Sequence, residues 1–136
     1  MKESDFQFLG YRVSNISLNI KNEYNPRIRN FSQNVDIHLN FSQENKRFVE
    51  VALNISIENE SKDFSFFISI KGGFQAHENM TDDLFQTMSK QNAPAILYPF
   101  ARAIITNYTV QANIPPIILP AINFADKNRV DKISIK

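Results

Sequence analysis

Four segments of the chain alternate apolar and polar residues, which is the period of a strand with one buried face. The clearest runs from Val49 to Ile57, where every second residue is Val, Leu or Ile. The other three segments begin near Phe6 and extend to Ile20, cover Val35 to Phe41, and run from Phe64 to an end at Gly72-Gly73. The polar stretch ENESKD between the last two strands predicts a hairpin. Together the segments predict an antiparallel sheet with one dry face, the arrangement that helices cover on a single side.

A long polar segment, NEYNPRIRNFSQN, separates the first two strands and carries Tyr24, Ile28 and Phe31. It is too long for a tight turn, and loops of this length inside compact domains are often functional. Two interpretations remain open. The three side chains either close the edge of the sheet or contribute to a binding site.

Two helices are predicted after the sheet. Thr81 is placed to cap the first, with Asp82 and Asp83 at the positive end of its dipole. The second begins near Asn92, with Pro94 in its first turn, where a missing amide hydrogen costs little. Pro99 falls inside this helix, which predicts a kink or an unpaired carbonyl there. Pro115-Pro116 is predicted to end it.

The second helix carries two apolar rows. One row recurs every four residues as Ile96, Phe100, Ile104 and Tyr108, and the adjoining row is Leu97, Ala101 and Ile105. Since only one row can pack on the sheet, the other predicts contact with a second subunit. The following Ile117-Ile118-Leu119, closed by Pro120, predicts a stiff apolar loop. The last residues, ADKNRVDKISIK, predict a short edge segment or a frayed end.

Composition narrows the class of protein. The 136 residues suit one domain spanning residues 1–136. A formal charge of +1 gives no general attraction to nucleic acid or membrane, and the apolar runs are too short and too interrupted for a membrane span. With no cysteine, and with His38 and His77 far apart, neither a metal site nor a cofactor is expected. The N-terminal MKESDFQFLGYRVS has no apolar signal core, which predicts a cytosolic protein. A binding protein is therefore expected, not an enzyme.

The segment from Asn92 to Phe124 resembles the signature region of the SecB family of protein-export chaperones. The resemblance rests on an ordered set of motifs: Pro94, Ile96-Leu97-Tyr98, Pro99-Phe100, Ala101-Arg102, Pro115 to Pro120, and Asn123-Phe124. Lys71-Gly72-Gly73-Phe74 is similar to the family's strand end with paired glycines. The resemblance implies an α+β fold, a four-stranded antiparallel sheet with helices on one face. It also implies dimers that pair into a tetramer through the long helix.

The resemblance implies a function without an active site. Members of the family hold unfolded polypeptides or preproteins in an apolar groove, without ATP, and pass them to the SecA motor. By position, the implied peptide-binding residues are Tyr24, Ile28, Phe31, Ile37, Leu39, Ile117 and Leu119. The implied oligomer interface is Ile96, Phe100, Ile104 and Tyr108.

Three departures from the family pattern bear on the partners. The acidic sheet face that docks the motor is replaced by Asn15, Asn19 and Ile68; the second covering helix and acidic tail, in residues 125–136, are replaced by a short basic segment; and the chain is near neutral. These departures favour, as an alternative to general export, a chaperone dedicated to one partner, such as the antitoxin of a toxin-antitoxin module. A structural oligomer without a client is a further alternative. A carrier of small ligands is disfavoured, because a sheet covered on one side offers no closed cavity.

Overall fold

The computed structural model describes residues 5–126 and 132–135 of the chain. Its elements are, in order, β1 (Phe6–Ile20), β2 (Phe31–Phe41), β3 (Phe48–Asn59), β4 (Phe64–Ala76), α1 (Asp82–Thr87), a π-helical turn (Met88–Asn92), α2 (Ala93–Gln111) and β5 (Lys132–Ile135). Thr81 caps α1 as predicted, because its hydroxyl accepts a hydrogen bond from the amide of Leu84 at 3.2 Å.

The strands form one antiparallel sheet in the order β1-β4-β3-β2-β5. β3 and β4 form the predicted hairpin, in which Glu58 pairs with Ser65. The predicted four-stranded antiparallel sheet with helices on one face is confirmed. Of the two expectations for the last residues, the edge segment is found, since Lys132–Ile135 pairs with Phe31–Asn34 at the outer edge of β2.

The core lies between the sheet and α2. Alternate residues of β3 and β4 point toward the helix and are fully buried, as the apolar period predicted. Leu97, Ala101 and Ile105 of α2 have no exposed surface, so this row is the one that packs on the sheet. The helix continues through Pro99, which lies on its exposed side.

Three sequence expectations are corrected. β4 does not end at Gly72-Gly73 but runs to Ala76, because both glycines keep partners in β1 and β3 on either side. Ile68 does not lie on the outer sheet face with Asn15 and Asn19. The period of two in β4 turns its side chain into the core, where it is fully buried. Finally, α2 ends at Gln111, before the proline pair, and Asn113 follows with a φ of 61°.

Strand β1 is irregular in a way that alternation does not reveal. Its register against β4 shifts between Phe8 and Gly10 and again between Val13 and Asn15. Gly10 has a φ of 117°, a left-handed conformation that favours glycine. After each shift, the side chains point to the opposite face of the sheet from the one that simple alternation predicts. As a result, side chains an odd number of positions apart face the helix together. The helix-facing side chains include Tyr11, Val13 and Ile16, which lie opposite Gly72, Ile70 and Ile68.

Candidate functional surfaces

The loop after α2, residues 113–126, is attached to the helix by hydrogen bonds and is called the proline loop below. The hydroxyl of Thr106 donates to the carbonyl of Ile117 at 2.8 Å, and the amide of Ile117 donates to the hydroxyl of Thr109 at 3.1 Å. Further along, the phenolic hydroxyl of Tyr98 donates to the carbonyl of Pro120 at 2.6 Å. These bonds hold Ile117 and Leu119 in the core.

A buried polar pair supports the same loop from the sheet. The side-chain nitrogen of Gln33 on β2 donates to the phenolic oxygen of Tyr98 at 3.1 Å, and Gln33 is fully buried. The side-chain oxygen Oε1 of Gln33 has no hydrogen-bond partner among the described residues. Burial raises the pKa of Tyr98, an effect that the bond from Gln33 and the charge of Arg102 partly oppose. The phenol therefore stays protonated and can donate to the loop.

The crossover loop, residues 21–30, connects β1 to β2 and is hydrogen-bonded to the proline loop by the side chain of Arg29. The guanidinium of Arg29 donates to the carbonyls of Pro115 at 3.4 Å and Pro116 at 2.7 Å. The Cζ atom of Arg29 lies 5.8 Å from the centre of the Phe31 ring, in a cation-π position. Burial raises the pKa of Tyr24, and the nearby charge of Arg29 lowers it in part. Arg29 thus connects the two loops that the resemblance places at a groove.

The predicted peptide-binding residues fall into three groups in this conformation. Ile28, at the tip of the crossover loop, is 59% exposed. Half-buried positions are taken by Tyr24, Ile37 and Leu39. Buried in the core are Phe31, Ile117 and Leu119. A bound polypeptide could therefore touch the first two groups directly, whereas the side chains of the third group face the core.

The predicted interface row of α2 is only partly covered. Ile96 and Ile104 are half-buried, whereas Phe100 and Tyr108 are 38% and 39% exposed. The Phe100 ring packs against Tyr11 of β1, with ring centres 4.5 Å apart, and the Tyr108 ring meets the edge of Phe66 at 5.5 Å. Next to Tyr108, an open cavity of about 480 Å3 is lined by Ile104, Asn107, Gln111 and Ala112.

Sequence reasoning missed the continuation of this surface onto β1. Tyr11, Val13 and Ile20 lie on the same side of the sheet as α2, and each is about 40% exposed. Together with Phe100 and Tyr108 they form what is called the β1–α2 face below. The two register shifts in β1 hide the pattern from alternation, although Gly10 inside an apolar segment was a signal for a bulge. Ile118 of the proline loop, 67% exposed, was also absent from the predicted set.

Other chemistry is sparse in the described part of the chain. Within residues 5–126 and 132–135, no group of three or more His, Cys, Asp or Glu side chains could hold a metal ion. Arg47 forms an ion pair with Asp82 at 2.8 Å and stacks over Phe85, which ties the β2–β3 turn to the start of α1. None of the described helices is both long enough and apolar enough to cross a membrane.

Comparison with known proteins assigns the family. Residues 2–128 match the family model described as preprotein translocase subunit SecB. An uncharacterised protein of Methanocaldococcus jannaschii is 35% identical over 127 residues, which cover 88% of this chain and 79% of the relative. The protein-export protein SecB of Neorickettsia sennetsu is 30% identical over 134 residues, covering 87% of this chain and 80% of the relative.

Solved structures agree on the fold. A Mycobacterium tuberculosis SecB-like chaperone, solved in complex with a ChAD peptide from the HigA1 antitoxin, superposes with a TM-score of 0.71. It is 13% identical, and the match covers 87% of this chain and 88% of that one. A Streptococcus agalactiae protein of unknown function matches with a TM-score of 0.54 and 11% identity, over 85% of this chain and 97% of its own. Because the family model matches residues 2–128 of its 136 residues, the chain belongs to the SecB family, whose chaperones are not enzymes.

Proposed function

We propose that this protein is an ATP-independent chaperone of the cytoplasm. It holds unfolded polypeptides or preproteins in an apolar groove and keeps them competent for translocation or folding. Family membership supports the proposal, since the relatives include protein-export SecB proteins. No cofactor takes part in such a function.

The observation that carries the proposal is the amount of apolar side chain that one folded copy leaves uncovered. Ile28 and Ile118, on the crossover loop and the proline loop, are 59% and 67% exposed. Exposed apolar surface of this kind marks an interaction site. Apolar burial contributes roughly 25 cal/mol per Å2 and has no direction, so such a surface can accept many sequences.

In this proposal, some client-binding residues of the groove are accessible in the described conformation and others are covered. Clients first contact Ile28 and the half-buried Tyr24, Ile37 and Leu39. Contact with Phe31, Ile117 and Leu119 requires the proline loop to move away from α2. The bonds that oppose this movement are few, and those from Arg29 are at the surface.

Self-association uses the β1–α2 face. We assign the predicted row of Ile96, Phe100, Ile104 and Tyr108 to a contact between copies, together with Tyr11, Val13 and Ile20 of β1. Contact through this single face gives a dimer. The family resemblance implies that two such dimers pair into a tetramer.

A chaperone dedicated to one partner, such as an antitoxin, is the second candidate. The similar M. tuberculosis protein was solved with an antitoxin peptide. On the outer sheet face Arg12 pairs with Lys71, so two positive charges stand side by side there. This basic pair lies on the sheet face that is acidic in the part of the family that docks the motor, so a SecA-type motor is a partner only of the general-export version.

The direct test is suppression of aggregation by the purified protein without nucleotide. Several chemically denatured clients are diluted into buffer with and without it, and light scattering is followed. We expect scattering to fall at near-stoichiometric chaperone. Unchanged scattering for all clients would count against the proposal. A homo-oligomer that binds neither clients nor a hydrophobic dye would favour the structural module instead.

Surface variants sharpen this test. Ile28→Ser with Ile118→Ser removes the two exposed loop side chains and is expected to weaken capture without unfolding the protein. Leu9→Ser is the matched control, because Leu9 is 54% exposed but lies next to Gly73 on the other face of the sheet. Phe31→Ala and Leu119→Ala are unsuitable here, since both side chains are buried and their loss would destabilise the fold.

General and dedicated chaperones differ in what they bind in the native host. Recovery of the protein under native conditions, followed by identification of bound chains, separates them. Many substoichiometric preproteins favour general export, and one stoichiometric partner favours a dedicated chaperone.

A further inference from the structure

Arg29 joins the crossover loop to the proline loop, and the residues near this contact include exposed apolar side chains and two arginines without an ion-pair partner among the described residues. We call this patch the loop junction and define it as Arg27, Ile28, Arg29, Pro115, Pro116 and Ile118. Ile28 and Ile118 have the largest exposed fractions among the large apolar residues that the structure describes. The bonds from Arg29 to Pro115 and Pro116 bring the two loops together.

The crossover loop presents its side chains from a fixed turn. The amide of Ile28 donates to the carbonyl of Asn25 at 3.1 Å, and the amide of Arg27 donates to the side-chain oxygen of Asn25 at 3.0 Å. Pro26 occupies the second position of this turn, where its fixed φ is favourable. The turn therefore holds Arg27, Ile28 and Arg29 as a rigid unit.

The two arginines have no carboxylate partner in the part of the chain that the structure describes. Arg29 uses its guanidinium on two neutral carbonyls, which leaves further donors and the full charge available. The side chain of Arg27 makes no ion pair among these residues, where the single ion pair is Arg47 with Asp82. Glu58 and Glu60 line a neighbouring cavity with Asn30 and Phe31, but neither pairs with the arginines.

We propose that the loop junction selects polypeptide segments in which an apolar residue is flanked by carboxylates. The apolar residue contacts Ile28 and Ile118, while Asp or Glu on either side pairs with Arg27 and Arg29. A guanidinium binds a carboxylate through two parallel hydrogen bonds, and adjacent apolar side chains lower the screening by water. A nucleic acid fits the patch less well, because the exposed Ile28 and Ile118 offer phosphates no hydrogen bond and the whole chain carries only +1.

This inference rests on the proposed function and adds a preference to it. The test uses fluorescein-labelled peptides with one shared core of alternating leucine and serine. One carries two glutamates at each end, and the other carries two lysines. Anisotropy is measured with the intact protein at low and moderate salt. We expect the glutamate peptide to bind about five- to tenfold more tightly, since each exposed charge pair contributes modestly, and the difference should shrink as salt rises.

Two variants and a control connect the preference to the junction. Arg27→Gln, alone and with Arg29→Gln, should reduce the ratio of the two affinities toward one. The Arg27 side chain is exposed and makes no hydrogen bond or ion pair with other described residues, so this substitution should leave the fold intact. Arg12→Gln makes the same change in net charge on the outer face of the sheet, and it should leave the ratio unchanged.

The outcomes separate the preference from the chaperone function. Equal binding of both peptides, a preference for lysine, or a preference that survives both arginine variants would overturn the inference and leave the proposed function standing. A labelled single-stranded oligonucleotide that competes for the same arginines more tightly than the glutamate peptide would also overturn it. If no peptide binds and aggregation is not suppressed, both proposals fail.

Discussion

Gln33 on β2 and Tyr98 on α2 form a hydrogen bond of 3.1 Å at the centre of the core, and only one half of the glutamine amide takes part in it. The tyrosine also donates to the carbonyl of Pro120 at 2.6 Å. The phenol thus connects the sheet, the helix and the proline loop. Because Oε1 of Gln33 has no partner among the described residues, substitutions of Gln33 and of Tyr98 should change the free energy of unfolding by different amounts.

Tyr98→Phe is expected to destabilise the protein by about 1–3 kcal/mol, because the Gln33 amide loses its one hydrogen-bond partner among the described residues and the Pro120 carbonyl loses a donor. Gln33→Met is expected to change the free energy of unfolding by less than about 1 kcal/mol, since it also removes a buried oxygen without a partner. Denaturant unfolding measures both. Tyr11→Phe serves as the control, because Tyr11 is partly exposed and its hydroxyl makes no hydrogen bond with the described residues. Equal costs for Gln33→Met and Tyr98→Phe would contradict this account.

Alkaline pH should weaken the same contact. Burial is the largest effect on the phenol and raises the pKa of Tyr98 above its ordinary value of 10.0. The folded state therefore retains a proton that the unfolded state releases. This stability is complete below the unfolded pKa and is lost as the pH rises from there through the folded value. The free energy of unfolding should fall more steeply above about pH 10 in the wild type than in Tyr98→Phe. Parallel curves would show that the phenol of Tyr98 has the same pKa in the folded and unfolded states.

Thr109 is expected to control how firmly the proline loop is held. Its hydroxyl accepts the amide of Ile117 at 3.1 Å and is completely buried. Thr109→Val keeps the shape but leaves that amide without an acceptor, which should cost about 1–3 kcal/mol. Amide exchange at Ile117 and Leu119 should speed up more than exchange in β3. Thr109→Ser keeps the hydroxyl and should preserve the protection. Unchanged exchange in the valine variant would mean that the loop is held by its buried isoleucine and leucine alone.

Structural features that depend on neighbouring residues can be predicted from the sequence, whereas features that depend on contacts between distant residues cannot. The strands, the Thr81 cap and the two rows on α2 follow from local periodicity, and the structure confirms them. The register shifts of β1 and the continuation of β4 through Gly72-Gly73 do not, because glycine fits both a strand end and a strand interior. Arg29 and Pro116 are 87 positions apart, so their contact has no local signal. Which predicted groove residues are buried likewise depends on loop packing across that distance.

The paired glycines of β4 should differ sharply in tolerance. A methyl group on Gly72 would lie 2.6 Å from Cδ2 of the fully buried Leu97, whereas one on Gly73 would meet the Phe48 ring at 3.3 Å and Cβ of Leu9 at 3.9 Å. Gly72→Ala should therefore cost about 1–3 kcal/mol by overpacking. Gly73→Ala should change the free energy of unfolding by less than about 1 kcal/mol, because its neighbour is a half-buried ring that can shift. Both have negative or extended φ, so the comparison isolates packing. Similar thermal stability of the two variants would argue that α2 adjusts freely over the sheet.

Phe100 and Leu97 lie on neighbouring rows of α2, and they separate folding from assembly. Leu97 is fully buried, so Leu97→Ala should cost about 2–5 kcal/mol through the lost burial and the cavity. Phe100 keeps 38% of its surface exposed while its ring packs against Tyr11 and Phe8. Phe100→Ser should therefore cost the single chain about 1–3 kcal/mol, the order of two lost aromatic pairs.

Assembly should respond in the opposite order. The proposed interface includes Phe100, and apolar residues at the centre of an interface carry most of the binding free energy. Sedimentation velocity over a range of concentrations should show Phe100→Ser shifted to smaller species, whereas Leu97→Ala, at temperatures where it stays folded, should keep the wild-type distribution. Val110→Ser is the control for loss of an exposed apolar side chain, because Val110 is 49% exposed and outside the predicted row. A wild-type protein that sediments as a single chain at all concentrations, or a Phe100→Ser variant that assembles normally, would remove the β1–α2 face as the contact between copies.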